Sequence, residues 1–176
     1  MSDASDEALM TRYGQGDAEA FSELYERYRG PLYRYFLRQL GDAVQANDLY
    51  QGCWEKVIGA RARFREKTPF RAWLFRIAHN HLVDYFRSHR GAQELPETLE
   101  DMAGSGPETQ LEDEQRQARF RRALLALPEE QRDALLLQLE AGLSLEHIAQ
   151  VTGVGRETVK SRLRYGTRKL KQELGP

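Results

Sequence analysis

Two blocks of this chain, residues 6–90 and 112–176, place apolar side chains every three to four positions, and the stretch between them does not. A period near 3.6 builds helices with one buried face. No useful length alternates apolar and polar residues as a half-buried strand would. The expected fold class is all-α: an N-terminal helical bundle at 6–90 and a C-terminal helix-turn-helix domain at 112–176, joined by a flexible acidic linker at 91–111.

The linker reading rests on composition. Gly, Pro, Ser, Glu and Asp dominate 91–111, so this stretch buries too little apolar area to offset its ordering entropy. Residues 91–115 carry eight acidic side chains (Glu94, Glu97, Glu100, Asp101, Glu108, Glu112, Asp113, Glu114) and no Lys or Arg. The rest of the chain holds 19 acidic and 26 basic residues, so a formal net charge of −1 conceals two basic flanks. No apolar run approaches the ~18–20 residues of a membrane span. The opening residues Met1–Glu7 lack the basic start and apolar run of a secretory signal. The single cysteine, Cys53, sits in a helical pattern beside Trp54 and reads as a small core residue. A cytoplasmic protein is expected.

Local signals place the helices. Gly14 and Gly16 break the first pattern, and Asp17 can cap a second helix whose apolar face runs from Phe21 to Leu40. Gly30-Pro31 predicts a bend or break within it. A third helix is expected from about Ala43 to Ala62. Thr68-Pro69 predicts the start of a fourth, with Thr68 as cap, running to His89. In the second block Leu127-Pro128 starts one helix, Ser144 caps a short one, Gly153 supplies a turn, and a last helix runs from about Arg156 to Leu174.

Residues 144–164, SLEHIAQVTGVGRETVKSRLR, follow the logic of a helix-turn-helix. Ala149 is small where two helices would cross, and Ile148, Val154, Val159 and Leu163 form the wedge between them. The second helix then presents Arg156, Thr158, Lys160, Ser161, Arg162 and Arg164 outward. Such a helix fits the major groove, where Arg and Lys donate to guanine and hydroxyls reach bases or phosphates. A plain amphipathic hairpin with a solvated basic face would share the pattern. The concentration of cations on this helix and its extension, Arg168, Lys169 and Lys171, favours DNA.

The first block has a basic aromatic loop, Phe64–Phe70, rimmed by Arg61, Arg63, Arg65, Lys67 and Arg71. Opening a duplex requires a base to leave the stack and be held elsewhere. Aromatic faces and cations suit that task, stacking being worth ~1–3 kcal/mol per base. Arg71, Arg76, Asn80 and Arg87 recur on the following helix and could track a backbone. Trp73 reads as core, whereas Phe64 is placed with the base-holding loop.

FREKTPFRAWLFRIAHNHLVDYFR at 64–87 resembles the −10 segment of the extracytoplasmic-function branch of the sigma-70 family. Asp48-Leu49-Tyr50-Gln51-Gly52-Cys53-Trp54 resembles the family segment that docks on a coiled coil of the largest RNA polymerase subunit. FSELYERYRGPLYRYFLRQL at 21–40 resembles its opening helices, and the block from Leu127 to Leu163 resembles its −35-reading domain. The resemblance implies a transcription initiation factor that directs core RNA polymerase to promoters. By it, the 64–70 loop would hold a flipped −10 base, with Phe64, Arg65, Lys67, Arg71, Arg76 and Asn80 as the DNA-contacting set and Asn80 shaping the pocket. Asp48, Leu49, Gln51 and Trp54 would dock on polymerase, whose flap would receive the second domain. The linker would pass near the active-site cleft, its charge mimicking nucleic acid. An anti-sigma factor is a further implied partner. Gly52 stands where the family usually carries Glu, Glu157 where Gly is common before Thr158, and Tyr165-Gly166-Thr167 where Arg-Ala-Arg is usual.

No enzyme is expected. His79 and His81, at i and i+2 of a helix, point to different faces and do not converge on a metal. His89 and His147 have no Cys or carboxylate at ligand spacing. No Gly-rich phosphate loop or spaced carboxylate pair stands out, and no cofactor is expected. The chain is expected to be monomeric and not to insert into membranes. Two other readings remain: a helix-turn-helix regulator working without polymerase, and an adaptor that binds polymerase but no promoter.

Overall fold

The computed structural model describes residues 2–90 and 108–175, with only the backbone at 108 and 109. Among these residues the fold is all-helical. The helices are α1 (Asp6–Gly14), α2 (Ala18–Leu40), α3 (Ala43–Ala60), α4 (Phe70–His89), α5 (Glu108–Leu125), α6 (Glu129–Leu139), α7 (Leu145–Thr152) and α8 (Arg156–Leu174), with one 3₁₀ turn at Arg61–Arg63. Of the linker expected at 91–111, residues 91–107 lie outside the described residues. The last four, 108–111, are helical, as are Glu112, Asp113 and Glu114 on α5. The second helical block therefore begins four residues earlier than periodicity indicated.

The caps follow local chemistry. Asp17 accepts from the N–H groups of Glu19 and Ala20, Asp42 from those of Val44 and Gln45, and Ser144 from that of His147. Each satisfies donors that a helix start leaves orphaned. Gly153, at φ 72°, makes the turn between α7 and α8. One expectation narrows and another needs correction. The break allowed for at Gly30-Pro31 does not occur, since α2 runs through Pro31 in one piece. At the start of α4, Pro69 rather than Thr68 occupies the cap position and contributes no side-chain bond. The Thr68 N–H instead closes a turn onto the Arg65 carbonyl at 2.9 Å.

The first block packs α1 to α4 around Leu9, Met10, Leu24, Leu32, Phe36 and Phe75, all fully buried. Each such side chain contributes about 1.5–3 kcal/mol. Cys53 is buried among them, and burial pushes its thiol up to about 12, which leaves it protonated and inert. The second block packs α5 to α8 around Leu124, Leu136, Leu137, Ile148 and Val159.

The two cores are continuous with each other. Helix α4 packs on α7, and α2 on α5 and α6. At the centre of this contact sits Asp133, 7% exposed. Its Oδ1 accepts from the Tyr35 hydroxyl at 2.6 Å and the Gln39 amide at 2.9 Å, and its Oδ2 lies 2.7 Å from His79 Nδ1. Arg132, also buried, donates from Nε to the Gln39 side-chain oxygen Oε1 at 3.0 Å. Burial, then the Asp133 charge, raises the Tyr35 hydroxyl well above its usual value and keeps it a donor. At the edge, Glu140 takes ion pairs from Arg34 and Arg38 of α2. The reason lies in α6, where Arg132 through Leu137 are all buried. One face packs within its own block and the other against the first block.

Candidate nucleic-acid interface

Helix α8 carries the second-block candidates. Val159 is its buried anchor, packed against the rest of the helix-turn-helix with Ile148 and Val151. That register turns Arg156, Thr158, Lys160 and Arg164 to the surface, with Ser161 and Arg162 half-buried at the flank. Two exposed ion pairs hold this row: Arg156 Nη1 to Glu146 Oε1 at 3.1 Å, and Lys160 Nζ to Glu157 Oε1 at 3.3 Å. Exposed pairs of this kind are worth ~0–1 kcal/mol, so phosphate oxygens can replace the carboxylates at little cost. Farther along, Arg164 and Arg168 lie over the Tyr165 ring, at 5.2 and 5.8 Å from its centroid. Gly166 has a packing cause: a Cβ there would stand 3.0 Å from Leu135 Cδ1 and 3.3 Å from Gln131 Cβ.

In the first block the loop between α3 and α4 exposes Arg61, Arg63, Arg65, Lys67 and Thr68 together. Arg65 folds back, its Nη1 donating to the Ala62 and Phe64 carbonyls at 3.1 and 3.2 Å. Arg71, Arg76 and Asn80 are exposed on α4, but nine helical positions put Arg71 on the side opposite Asn80. Arg71 Nε donates to the Tyr28 hydroxyl at 3.4 Å, and a Cβ on Gly142 of the second block would stand 3.0 Å from its Nη1. Phe64 differs from its expected placement. It is 7% exposed and packs edge-on against Phe70 and Trp73, ring centroids 6.1 and 5.3 Å away. The loop ring and two rings from the first turn of α4 bury one another before they offer a face to solvent. What the loop presents outward is cationic.

The docking set divides in the same way. Asp48 and Gln51 are exposed on α3, while Leu49 and Trp54 are core, at 7% and 6% exposure. Trp54 packs against Phe21, Tyr25 and Tyr50. The sequence reading missed the apolar ends of the outward stripe. Val44 is 72% exposed and Ile58 37%, and with Asp48, Gln51 and Glu55 they recur at three- and four-residue spacing. An apolar residue off the core phase was the available signal.

Gly52 faces α4, and a Cβ there would meet His81 Nε2 at 2.7 Å. The imidazole fills the space beside the glycine. Alanine at an open helical site gains about 1 kcal/mol over glycine. In Gly52→Ala this gain is expected to vanish, because His81 must move. In the Gly52→Ala/His81→Ala double variant, measured against His81→Ala by chemical denaturation, it is expected to return. Additive changes would show that the two positions do not interact.

His79 is bonded to Asp133 at the contact between blocks, and His81 lies against α3. Among the described residues no three His, Cys, Asp or Glu side chains group as metal ligands, and no helix is long and apolar enough to cross a membrane.

Comparison with known proteins agrees with this arrangement. Residues 24–92 match the family described as Sigma-70 region 2, and residues 123–172 the family described as Sigma-70, region 4. The extracytoplasmic-function RNA polymerase sigma factor SigL of Mycobacterium tuberculosis is 38% identical over 90% of this chain and 93% of its own length. The RNA polymerase sigma-H factor of Pseudomonas aeruginosa is 31% identical over 97% of this chain and 94% of its own. Among solved structures, CnrH in complex with the cytosolic domain of CnrY superposes with a TM-score of 0.72 at 26% identity, covering 95% of each chain.

Proposed function

This chain belongs to the sigma-70 family as an RNA polymerase sigma factor of the extracytoplasmic-function type, and from that premise we propose how its residues divide the work. Core polymerase docks on the outward stripe of α3 through Asp48 and Gln51, flanked by Val44 and Ile58, with Leu49 and Trp54 shaping the helix from beneath. The second block sits on the polymerase flap. Helix α8 enters the major groove at −35, with Arg156, Thr158 and Lys160 nearest the bases and Ser161, Arg162 and Arg164 toward the backbone.

The 61–70 loop and the start of α4 take the −10 strand. Arg61, Arg63, Arg65, Lys67, Arg71 and Arg76 attract the phosphates, and Asn80 borders the pocket of the extruded base. For Phe64 to stack on that base, the ring must leave its place against Phe70 and Trp73. The observation that carries this reading is the pairing of an exposed cationic loop on one block with an exposed cationic helix-turn-helix on the other.

Elements named for positions 25 base pairs apart lie about 85 Å apart at about 3.4 Å per base pair. A compact chain of this length has a radius of gyration of about 16 Å. Bridging both elements therefore requires the blocks to part, within the reach of the seventeen residues 91–107, about 60 Å at full extension. The acidic side chains of that stretch suit a path through a basic polymerase channel. CnrH is seen with the cytosolic domain of CnrY, and by analogy a protein anti-sigma factor engages this chain. We place the protein in the cytoplasm as a monomer, on the nucleoid when active.

Run-off transcription tests the reading. Purified protein, bacterial core polymerase and a genomic fragment library are combined and the 5′ ends sequenced. Factor-dependent starts preceded by a shared pair of elements are expected. Duplex binding with no factor-dependent transcript would instead favour a regulator that acts without polymerase.

A further inference from the structure

The helix that carries Arg71, Arg76 and Asn80 begins without a cap of its own. Pro69 offers no side-chain acceptor, and the first N–H groups of a helix otherwise go unsatisfied. The missing acceptor comes from sixty-three residues away: Glu7 Oε1 accepts the Phe70 N–H at 3.0 Å in a half-buried setting. A carboxylate at that position also complements the positive end of the helix dipole.

Its neighbour Asp6 reaches the next residue of α4. The Tyr28 hydroxyl donates to Asp6 Oδ2, and Arg71 Nε donates to the Tyr28 oxygen at 3.4 Å. Asp6 is itself held by Arg27 at 2.9 Å, and Arg27 also donates to the carbonyls of Ala4 and Ser2.

The other end of α1 touches the other end of the loop. The Arg61 guanidinium lies 5.7 Å from the centroid of Tyr13, and a Cβ on Gly14 would stand 3.2 Å from the Arg61 carbonyl. Leu9 and Met10, fully buried, fix α1 between these two grips. The segment 61–70 is thus anchored at both ends by one short helix, with Arg63, Arg65 and Lys67 exposed between the two grips. All of α1 precedes residue 24, where the match to Sigma-70 region 2 begins.

We propose that Glu7 is a positioning residue for promoter melting: by capping α4 from α1 it fixes the rim of the 61–70 loop in the geometry that receives the extruded −10 base. The proposal rests on the assignment of that loop to the −10 element. Glu7 touches no DNA in this scheme and acts only through the Phe70 amide.

The experiment compares the full-length protein with Glu7→Ala and Glu7→Gln, the latter keeping an oxygen acceptor. Amide exchange at Phe70 reads the cap directly, and it should accelerate in Glu7→Ala and stay near wild type in Glu7→Gln. Promoter opening is followed by 2-aminopurine fluorescence at the −10 position with core polymerase. Two templates are used, a fully paired promoter and one with a pre-opened −10 bubble.

Glu7→Ala is expected to open the paired promoter about tenfold less, the scale of one lost cap. It should match wild type within about twofold on the bubble and in core affinity. Glu7→Gln should recover most of the loss. Wild-type opening by Glu7→Ala with accelerated exchange would overturn the proposal, as would an equal loss on both templates and in core binding. If the wild-type protein opened no promoter while its Phe70 amide stayed protected, the −10 assignment would have failed and the positioning role with it, the cap itself standing.

Discussion

In Asp133→Ala the two helical blocks separate and the protein expands. The substitution leaves the Tyr35 hydroxyl, the Gln39 amide and the His79 imidazole without their shared acceptor, all at a buried contact. Each orphaned polar group costs about 1–3 kcal/mol, and breaking a buried charged network typically costs about 3–5 kcal/mol. At about 1.4 kcal/mol per tenfold, the closed arrangement loses a factor of at least a hundred. Small-angle scattering is expected to show the radius of gyration rising from about 16 Å, the value for a compact chain of this length. Asp133→Asn, which keeps one carbonyl oxygen, should expand less. Run-off transcription with core polymerase should survive in Asp133→Ala, because the variant weakens only contacts that the promoter-spanning form gives up. An unchanged radius would mean that the apolar contacts of α6 hold the blocks without the hub. Loss of transcription in an expanded, still helical protein would mean that Asp133 has a role in the open form.

The second large effect is expected on α8. In Lys160→Ala/Arg162→Ala/Arg164→Ala, transcription from a promoter that depends on its −35 element should fall about a hundredfold or more, each lost contact being worth about 1 kcal/mol or more. Affinity for core polymerase should not change. With Arg162 and Arg164 toward the backbone, the dependence of log affinity on log salt should lose about 0.9 for each of these two contacts, or about 1.8 in all. Arg162 is half-buried, so helicity must be checked by circular dichroism. An unchanged salt slope in a folded variant would remove this face of α8 from the DNA interface.

What the sequence made legible was local. Asp17, Asp42 and Ser144 cap helices because the acceptor and its donors lie two or three residues apart, and spacing reveals that. The Glu7–Phe70 bond spans sixty-three residues, and no local pattern announces it. Its absence from view led Thr68 to be read as the cap of α4. The local rule at Pro31 allows a break or a bend, and no break occurs: α2 buries Leu24 and Tyr28 before the proline and Leu32, Tyr35 and Phe36 after it, and stays in one piece. Residue type gave the cationic character of both surfaces correctly in kind. It could not separate Phe64, Leu49 and Trp54, which are buried, from Arg65, Asp48 and Gln51, which are exposed, because neighbouring positions in a helix or loop share a motif but not a face. The Arg132-Asp133 pair left no trace either: it closes the polar run Glu129-Glu130-Gln131-Arg132-Asp133 that opens α6, and so has the look of a solvated helix start, although both side chains are buried.

That pair also sets how the protein's partners influence one another. A ligand that needs the blocks apart draws on the open fraction alone, and its apparent affinity falls in proportion to that fraction. If the closed form is favoured by about 3 kcal/mol, the low end of what breaking a buried charged network costs, under one molecule in a hundred is open, and a first such ligand binds over a hundredfold more weakly than its contacts allow. A second finds the blocks already parted and binds at full strength. If core polymerase, like a promoter of the right spacing, takes only the parted form, each strengthens the other, and by reciprocity the assistance is equal in both directions. Cooperativity between two separate ligands would then follow from one carboxylate shared by a tyrosine, a glutamine and a histidine.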